Sequence, residues 1–200
     1  MSENNINPVR NTDFHNTESK ISNGVKAVIE ALLFASEKPM PLEQMKNVLD
    51  NLGTDEIRRI LEELSAEYEK SNRGIRITEI AGGFQMVTPP SLNPFLKKLY
   101  KGRQVERLTR PSLETLAIVA YKQPVTRLEI ESIRNVNIDG VIKNLIDKDL
   151  IRISARKKAP GRPHVFGTTR QFLEYFGLKS LEELPKIENF QMKSELREGK

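Results

Sequence analysis

Apolar residues recur at helical spacing from Val25, through Val28, Ile29, Leu32 and Leu33, with Ser36 closing the stripe. Pro39 disfavours helix in the residue before it, so this first helix is expected to end near residues 37–38. Pro41 suits the start of a second helix, which carries Leu42, Met45, Val48, Leu49 and Leu52 on one face and stops at Gly53. Thr54 reads as the N-cap of a third, where Asp55 and Glu56 favour the positive helix end and Ile57, Ile60, Leu61, Leu64 and Tyr68 form the stripe. The period then changes from helical to alternating. Residues 75–80 and 84–87 read as two strands turned by Ala81-Gly82-Gly83, followed by a short closing helix over 91–100. Residues 1–22 are polar, lack any period and are expected to be disordered.

The same order recurs in the second half. Ser112 is expected to cap a helix with Leu113, Leu116, Ala117, Val119 and Ala120 that stops before Pro124. Thr126 and Glu129 have the spacing of a capping box, opening a helix that carries Leu128, Ile130 and Ile133. A third helix opens at Asn137–Asp139 with Val141, Ile142, Leu145 and Ile146, and strands are expected at 151–154 and 164–167. Between those strands Ala159-Pro160-Gly161-Arg162 has the composition of a type II turn. Residues 168–171 cap a last helix through Phe172, Leu173 and Phe176, and Ser180–Glu183 has the spacing of one more capping box. Sliding the chain by 85 residues puts Pro39 on Pro124, Ala35 on Ala120, Met45 on Ile130 and Val48 on Ile133. Each copy has three helices and then a hairpin. The expected fold is therefore α+β, predominantly helical, with two tandem winged-helix domains, each of three helices plus a β-hairpin wing. The expected boundaries are a disordered tail over 1–22, a first domain over 23–100, a basic linker over 101–111, a second domain over 112–186 and a flexible tail over 187–200.

Composition narrows the chemistry. The 200 residues include no cysteine, which excludes disulfides, thiolate metal sites and thiolate catalysis. Of the two histidines, His15 lies in the polar N-terminal stretch, leaving His164 alone in a folded region, too few for a histidine metal site. No convergent set of carboxylates suggests acid–base catalysis, so the expectation is a non-enzyme with no cofactor and no metal. No apolar run approaches membrane-spanning length and the N-terminus lacks the apolar core of a secretory signal, so a cytoplasmic location is expected.

The net charge of +5 is a sum of unlike parts. Residues 96–110 hold six cations against Glu106, and residues 152–170 hold six cations and no acid, leaving the rest of the chain net acidic. A winged helix that reads DNA places its third helix in the major groove. Here residues 55–70 hold six acids against Arg58, Arg59 and Lys70, and residues 139–149 hold three aspartates against Lys143 and Lys148. Acidic helices suit a polyanion poorly. The basic hairpin is the stronger interaction candidate, either as a phosphate-tracking wing or as a socket for an acidic peptide, against the plainer reading of a solvated loop. Phe84, Phe166, Phe172 and Phe176 sit at core spacings and are expected to pack inside, not to stack on bases. Gly82-Gly83 reads as a hairpin turn, since it lacks the strand-to-helix setting of a phosphate loop.

Several stretches carry a family resemblance. Residues 116–127 (LAIVAYKQPVTR), 133–141 (IRNVNIDGV), 159–163 (APGRP) with 167–169 (GTT), 172–179 (FLEYFGLK), 181–185 (LEELP) and 29–36 (IEALLFAS) resemble the segregation and condensation protein B family, in unbroken order over about residues 24–186. The resemblance implies a non-catalytic, homodimeric bacterial subunit that joins a kleisin (segregation and condensation protein A) and, through it, the SMC ATPase in chromosome condensation and partition, in association with the nucleoid. It implies dimerisation through the first domain and kleisin binding through the second. Candidate dimer residues are Val25, Ile29, Leu32 and Leu33; candidate kleisin-binding residues are Tyr121, Lys122, Gln123, Arg156, Lys157, Lys158 and Arg162. A weak non-specific DNA contact is kept open, and the alternative function is a DNA-binding transcriptional regulator.

Overall fold

A computed structural model describes residues 12–101 and 107–186; of residues 12–23 it describes the backbone alone. The chain divides into two compact units, Met1–Thr78 with Gly83–Pro94, and Glu79–Gly82 with Phe95–Lys200. The division falls ahead of the expected linker, of which residues 102–106 lie outside the described residues, as do 1–11 and 187–200.

In the first unit α1 (Thr12–Ala35), α2 (Leu42–Val48) and α3 (Thr54–Lys70) precede a hairpin of β1 (Arg76–Ile80), whose residues to Thr78 belong to this unit, and β2 (Gly83–Val87). Ile29 and Leu33 from α1, Met45 from α2, and Ile57, Ile60, Leu61, Leu64 and Tyr68 from α3 meet Ile77 and Phe84 in one core. The helical stripes therefore fold inward as their spacing predicts. Three boundaries differ. α1 starts at Thr12, so residues 12–22 are helical where disorder was expected; once a helix has nucleated on an apolar stripe, each further residue adds a hydrogen bond at low cost, and nothing before Gly24 breaks it. The N-cap of α3 is Gly53, with Thr54 inside the first turn. α2 ends at Val48, well before Gly53.

An antiparallel bridge joins Met40 to Phe84, with Met40 N–H donating to Phe84 O at 2.8 Å and Phe84 N–H to Met40 O at 2.9 Å. Periodicity could not show this contact, because it involves one residue squeezed between Pro39 and α2. It needs Gly83: a Cβ there would lie 2.8 Å from the backbone carbons of Pro39 and Met40. A short 3₁₀ turn (Pro90–Leu92) then leads to α4 (Asn93–Leu99).

The second unit runs α5 (Arg110–Lys122), β3 (Val125–Thr126), α6 (Arg127–Arg134), α7 (Asp139–Asp147), β4 (Ile151–Arg156), β5 (His164–Thr168) and α8 (Arg170–Phe176), then a 3₁₀ turn (Leu181–Glu183). Its sheet has the order β3-β5-β4, antiparallel throughout, with Val125 opposite Phe166 and Arg156 opposite His164. Val125 follows Pro124 as Met40 follows Pro39, so the 85-residue repeat extends to the strand contact: Met40 on Phe84, Val125 on Phe166. The core gathers Leu116, Val119, Ile130, Ile142, Leu145, Leu150, Ile151, Phe166 and Phe172. The fold is the expected one, α+β with two tandem winged-helix units. Thr109, not Ser112, caps α5, accepting from Ser112 N–H at 3.3 Å, while Ser112 itself is buried one turn in. The expected box at Thr126 and Glu129 is present in both directions. Of the four phenylalanines assigned to cores, Phe84, Phe166 and Phe172 are buried, whereas Phe176 is 43% exposed, its ring tilted against that of Phe172 at the end of the short α8.

Candidate functional site

The basic hairpin of the second unit is built by its turn. Arg162 N–H donates to Ala159 O at 2.9 Å, and Gly161 takes φ of +77° at the position where a type II turn demands it. Lys157 N–H closes the loop on Pro163 O at 2.9 Å. Arg156, Lys158 and Arg162 project into solvent and carry no ion pair among the described residues. Lys157 differs: its ammonium lies 2.7 Å from Glu129 Oε1. Glu129 Oε2 also accepts from Thr126 N–H at 2.7 Å and from the Thr126 hydroxyl at 2.8 Å. The Lys157 hydrogen bond first, then those of Thr126, hold the Glu129 carboxyl down from 4.5 to about 2.

That shift has a consequence for stability. A carboxyl depressed in the folded state contributes stability that is complete above its unfolded pKa and lost as pH falls through its folded one. Glu129→Gln is therefore expected to remove part of the fall in thermal midpoint between pH 4.5 and about 2. Parallel melts of the two proteins across that range check it; identical pH profiles would show that the Glu129 interactions contribute nothing.

The other candidates of the second unit cluster at the end of α5. The Tyr121 hydroxyl donates to Pro185 O at 2.6 Å, and its ring lines an apolar groove of about 310 Å³ with Leu113, Ala117, Phe176 and Leu184. Gln123 turns inward. Its Oε1 accepts from Thr168 N–H at 2.8 Å, and its Nε2 donates to Ala120 O at 3.2 Å, so this amide ties α5 to β5. Lys122 is exposed and lines a second groove, of about 600 Å³, together with Pro124, Leu128, Glu129 and Ile133. Through Glu129 and Lys157 that groove adjoins the base of the hairpin. The structure thus puts Lys122 on the groove that Glu129 shares, and places Tyr121 and Gln123 in contacts internal to their own domain.

In the first unit Ile29 and Leu33 are fully buried in the core, and Val25 and Leu32 pack half-buried against it. Ile29 and Leu33 therefore serve their own domain, not a partner. The outer face of α1 is Ala27, Ala31 and Phe34, the last 79% exposed, beside a groove of about 350 Å³ that includes Ile75 and Met86. On α3 the acids Asp55, Glu56, Glu62, Glu63, Glu67 and Glu69 all face solvent. Lys26 bridges two of them, at 3.1 Å from Glu63 and 2.6 Å from Glu67. The guanidinium of Arg58 lies over the Phe84 ring, 5.4 Å from its centroid. A surface of this charge repels phosphate at the position where a reading helix would meet it.

Spacing did not single out Phe34, Leu128 or Ile133 as surface residues, since an exposed apolar residue has the same signature as a buried one. Among the described residues no group of three or more His, Cys, Asp or Glu side chains could hold a metal, and no helix is long and apolar enough to cross a membrane.

The sequence model of the family described as segregation and condensation complex subunit ScpB matches residues 27–187. Segregation and condensation protein B of Syntrophotalea carbinolica is 45% identical over 166 residues, 83% of this chain and 83% of that protein. The protein of the same name from Alkaliphilus metalliredigens is 46% identical over 165 residues, 82% of this chain and 86% of its own length. Among solved structures, a dimer of an ScpB N-terminal domain complexed with ScpA peptide is 36% identical, covering 38% of this chain and 95% of that one, with a TM-score of 0.37.

Proposed function

The chain belongs to the segregation and condensation complex subunit ScpB family, and on that footing we propose that it is a non-catalytic, homodimeric subunit of the SMC–kleisin complex, binding the kleisin in chromosome condensation and partition. The observation that carries this reading is the family match, which runs through both winged-helix units from residue 27 to residue 187. The acidic solvent face of α3 supports it, because it favours protein contact over groove reading. The work of the subunit is then scaffolding in the cytoplasm at the nucleoid, with ATP hydrolysis left to the SMC partner.

The two surfaces divide the labour. The second copy of the chain docks on the outer face of α1, at Ala27, Ala31 and Phe34, in place of the buried Ile29 and Leu33. The kleisin is held by the second domain, where Arg156, Lys158 and Arg162 offer charge that no described residue pairs, and Lys157 and Lys122 flank the adjoining groove. Gln123 supports that edge by tying α5 to β5. The wing cations also favour a weaker second contact, with duplex DNA, which loses affinity steeply with salt.

Capture of the full chain from a lysate of its own organism is expected to recover the SMC ATPase and the kleisin; recovery of neither overturns the assignment. With purified kleisin, the Arg156→Glu, Lys157→Glu, Lys158→Glu triple variant is expected to bind about tenfold more weakly or worse, a loss of about 1.4 kcal/mol. Its dimer should persist in sedimentation. An unchanged kleisin affinity removes the wing from the contact.

A further inference from the structure

The C-terminal end of the second domain leads onto an apolar groove that it does not fill. Gly177, at φ of +66°, ends α8 in the left-handed region and turns the chain back, with Leu178 N–H donating to Leu173 O at 2.9 Å. The next turn is fixed by its own side chains: Lys179 N–H donates to Glu183 Oε2 at 2.7 Å, and Glu182 N–H to Ser180 Oγ at 3.3 Å. Leu178 and Leu184 pack against the core, and the Tyr121 hydroxyl holds Pro185 O at 2.6 Å. The chain therefore arrives at the groove of about 310 Å³ as part of its wall. Between α5 and α8 the groove stays open: Ala117 is exposed, and Leu113 and Phe176 are each 43% exposed. Among the described residues that line it, the Tyr121 hydroxyl is the one polar side-chain group, and it is already committed to Pro185. A charged or phosphate-bearing ligand would lose water there and gain no partner.

We propose that this groove is the seat of the chain's own C-terminal segment, with Ile187 and Phe190 as its anchors. The described chain ends at residue 186, directly after Pro185 in the groove wall, and Ile187 and Phe190 are the first two apolar residues beyond it. From Tyr121 back to Leu113, α5 spans about 12 Å. An extended chain covers about 3.3 Å per residue, so the steps from Pro185 to Phe190 reach about 16 Å. Ile187 thus falls within reach of Ala117, and Phe190 within reach of Leu113. Removing both anchors from water, together with the exposed surface of Leu113 and Phe176, drives the contact. Tethering decides the occupant. A segment on a short linker has an effective concentration of about millimolar, so a seat of only millimolar intrinsic affinity is already half filled. A second copy or a kleisin segment would have to bind far more tightly to displace it. Nothing in this contact depends on the kleisin reading.

The chain contains no tryptophan and no cysteine, so either can be introduced into the full-length protein as a lone reporter. Phe190→Trp is expected to emit to the blue of the same protein in denaturant and to resist quenching by acrylamide. Adding Ala117→Glu, which puts a carboxylate in the groove wall, is expected to abolish both the shift and the protection. Circular dichroism and the thermal midpoint check the fold; Leu113→Gln, at a site already partly exposed, takes its place if Ala117→Glu lowers the midpoint. Emission that matches the denatured protein, or that the groove substitution leaves unchanged, overturns the proposal. Leu113→Cys with Phe190→Cys then identifies whose segment is seated. Oxidation is expected to bridge one chain to itself, giving a monomer-sized band on a non-reducing denaturing gel. A dimer-sized band assigns the groove to the segment of a second copy, and no bridge at all leaves Phe190 away from Leu113; either overturns the proposal. Exposed emission combined with weaker binding of purified kleisin by Ala117→Glu assigns the groove to the kleisin, with the same result.

Discussion

Ile29→Ala is expected to destabilise the first domain by about 2–5 kcal/mol, the usual result of emptying a fully buried aliphatic site. Phe34→Asp, five residues further along the same helix, is expected to leave stability almost untouched and to turn a dimer into monomers. The opposition follows from geometry. Ile29 lies in the core shared by α1, α3 and the hairpin, where loss of its side chain leaves a cavity that rigid neighbours cannot close. Phe34 points outward, 79% exposed, between Ala31 and the Ile75–Met86 edge, so nothing inside the domain depends on it. A charge placed there must instead be desolvated by any second copy that covers the face. Melts of Ile29→Ala should show the midpoint falling by about 8 °C or more, given about 4–8 °C per kcal/mol for a domain of this size. Sedimentation of Phe34→Asp over a range of concentrations should show the dimer constant weakened about 30-fold or more. An unaltered dimer constant moves the contact off α1.

Gly83→Ala is expected to cost the first domain about 1–3 kcal/mol, an overpacking penalty for a single methyl group. The new Cβ would sit 2.8 Å from the carbonyl carbons of both Pro39 and Met40. Neither atom can retreat without stretching the two hydrogen bonds that join Met40 to Phe84, and Pro39 stiffens the chain on that side. Gly24→Ala provides the opposite case. Gly24 lies in α1, and a methyl group added to it would meet nothing within 4 Å, so alanine there is expected to stabilise by about 0.5–1 kcal/mol. Denaturant titration of the two variants should displace the midpoint in opposite directions. Equal shifts would mean that β2 does not approach the Pro39–Met40 backbone closely.

Much of the fold was legible because stripe and strand patterns are local. Ile57, Ile60, Leu61, Leu64 and Tyr68 announce α3 by spacing alone, and all five are buried. The Thr126–Glu129 box and the Ala159–Arg162 turn are equally local, each resting on a few neighbouring residues. The two-residue strand at Val125 was not legible, because it exists only where β5 arrives to pair with it. The candidate site was read less well. Its charges are visible in the sequence, but Gln123 turns its amide inward to Thr168, and Lys157 is committed to Glu129. Side-chain partners 28 and 45 residues away leave no trace in local spacing.

By itself, the sequence determined the helical and strand segments, the 85-residue repeat, the placing of positive charge on one hairpin and the acidic character of α3, since each depends on residues close together in the chain. Tertiary structure decided which apolar positions belong to cores and which to surfaces. Ile29 and Phe34, or Ile130 and Ile133, are alike in being strongly apolar and sit on one helix, and they differ in whether another element packs over them. Hydrophobicity sets what burial would be worth; only the packing of distant segments sets where it happens.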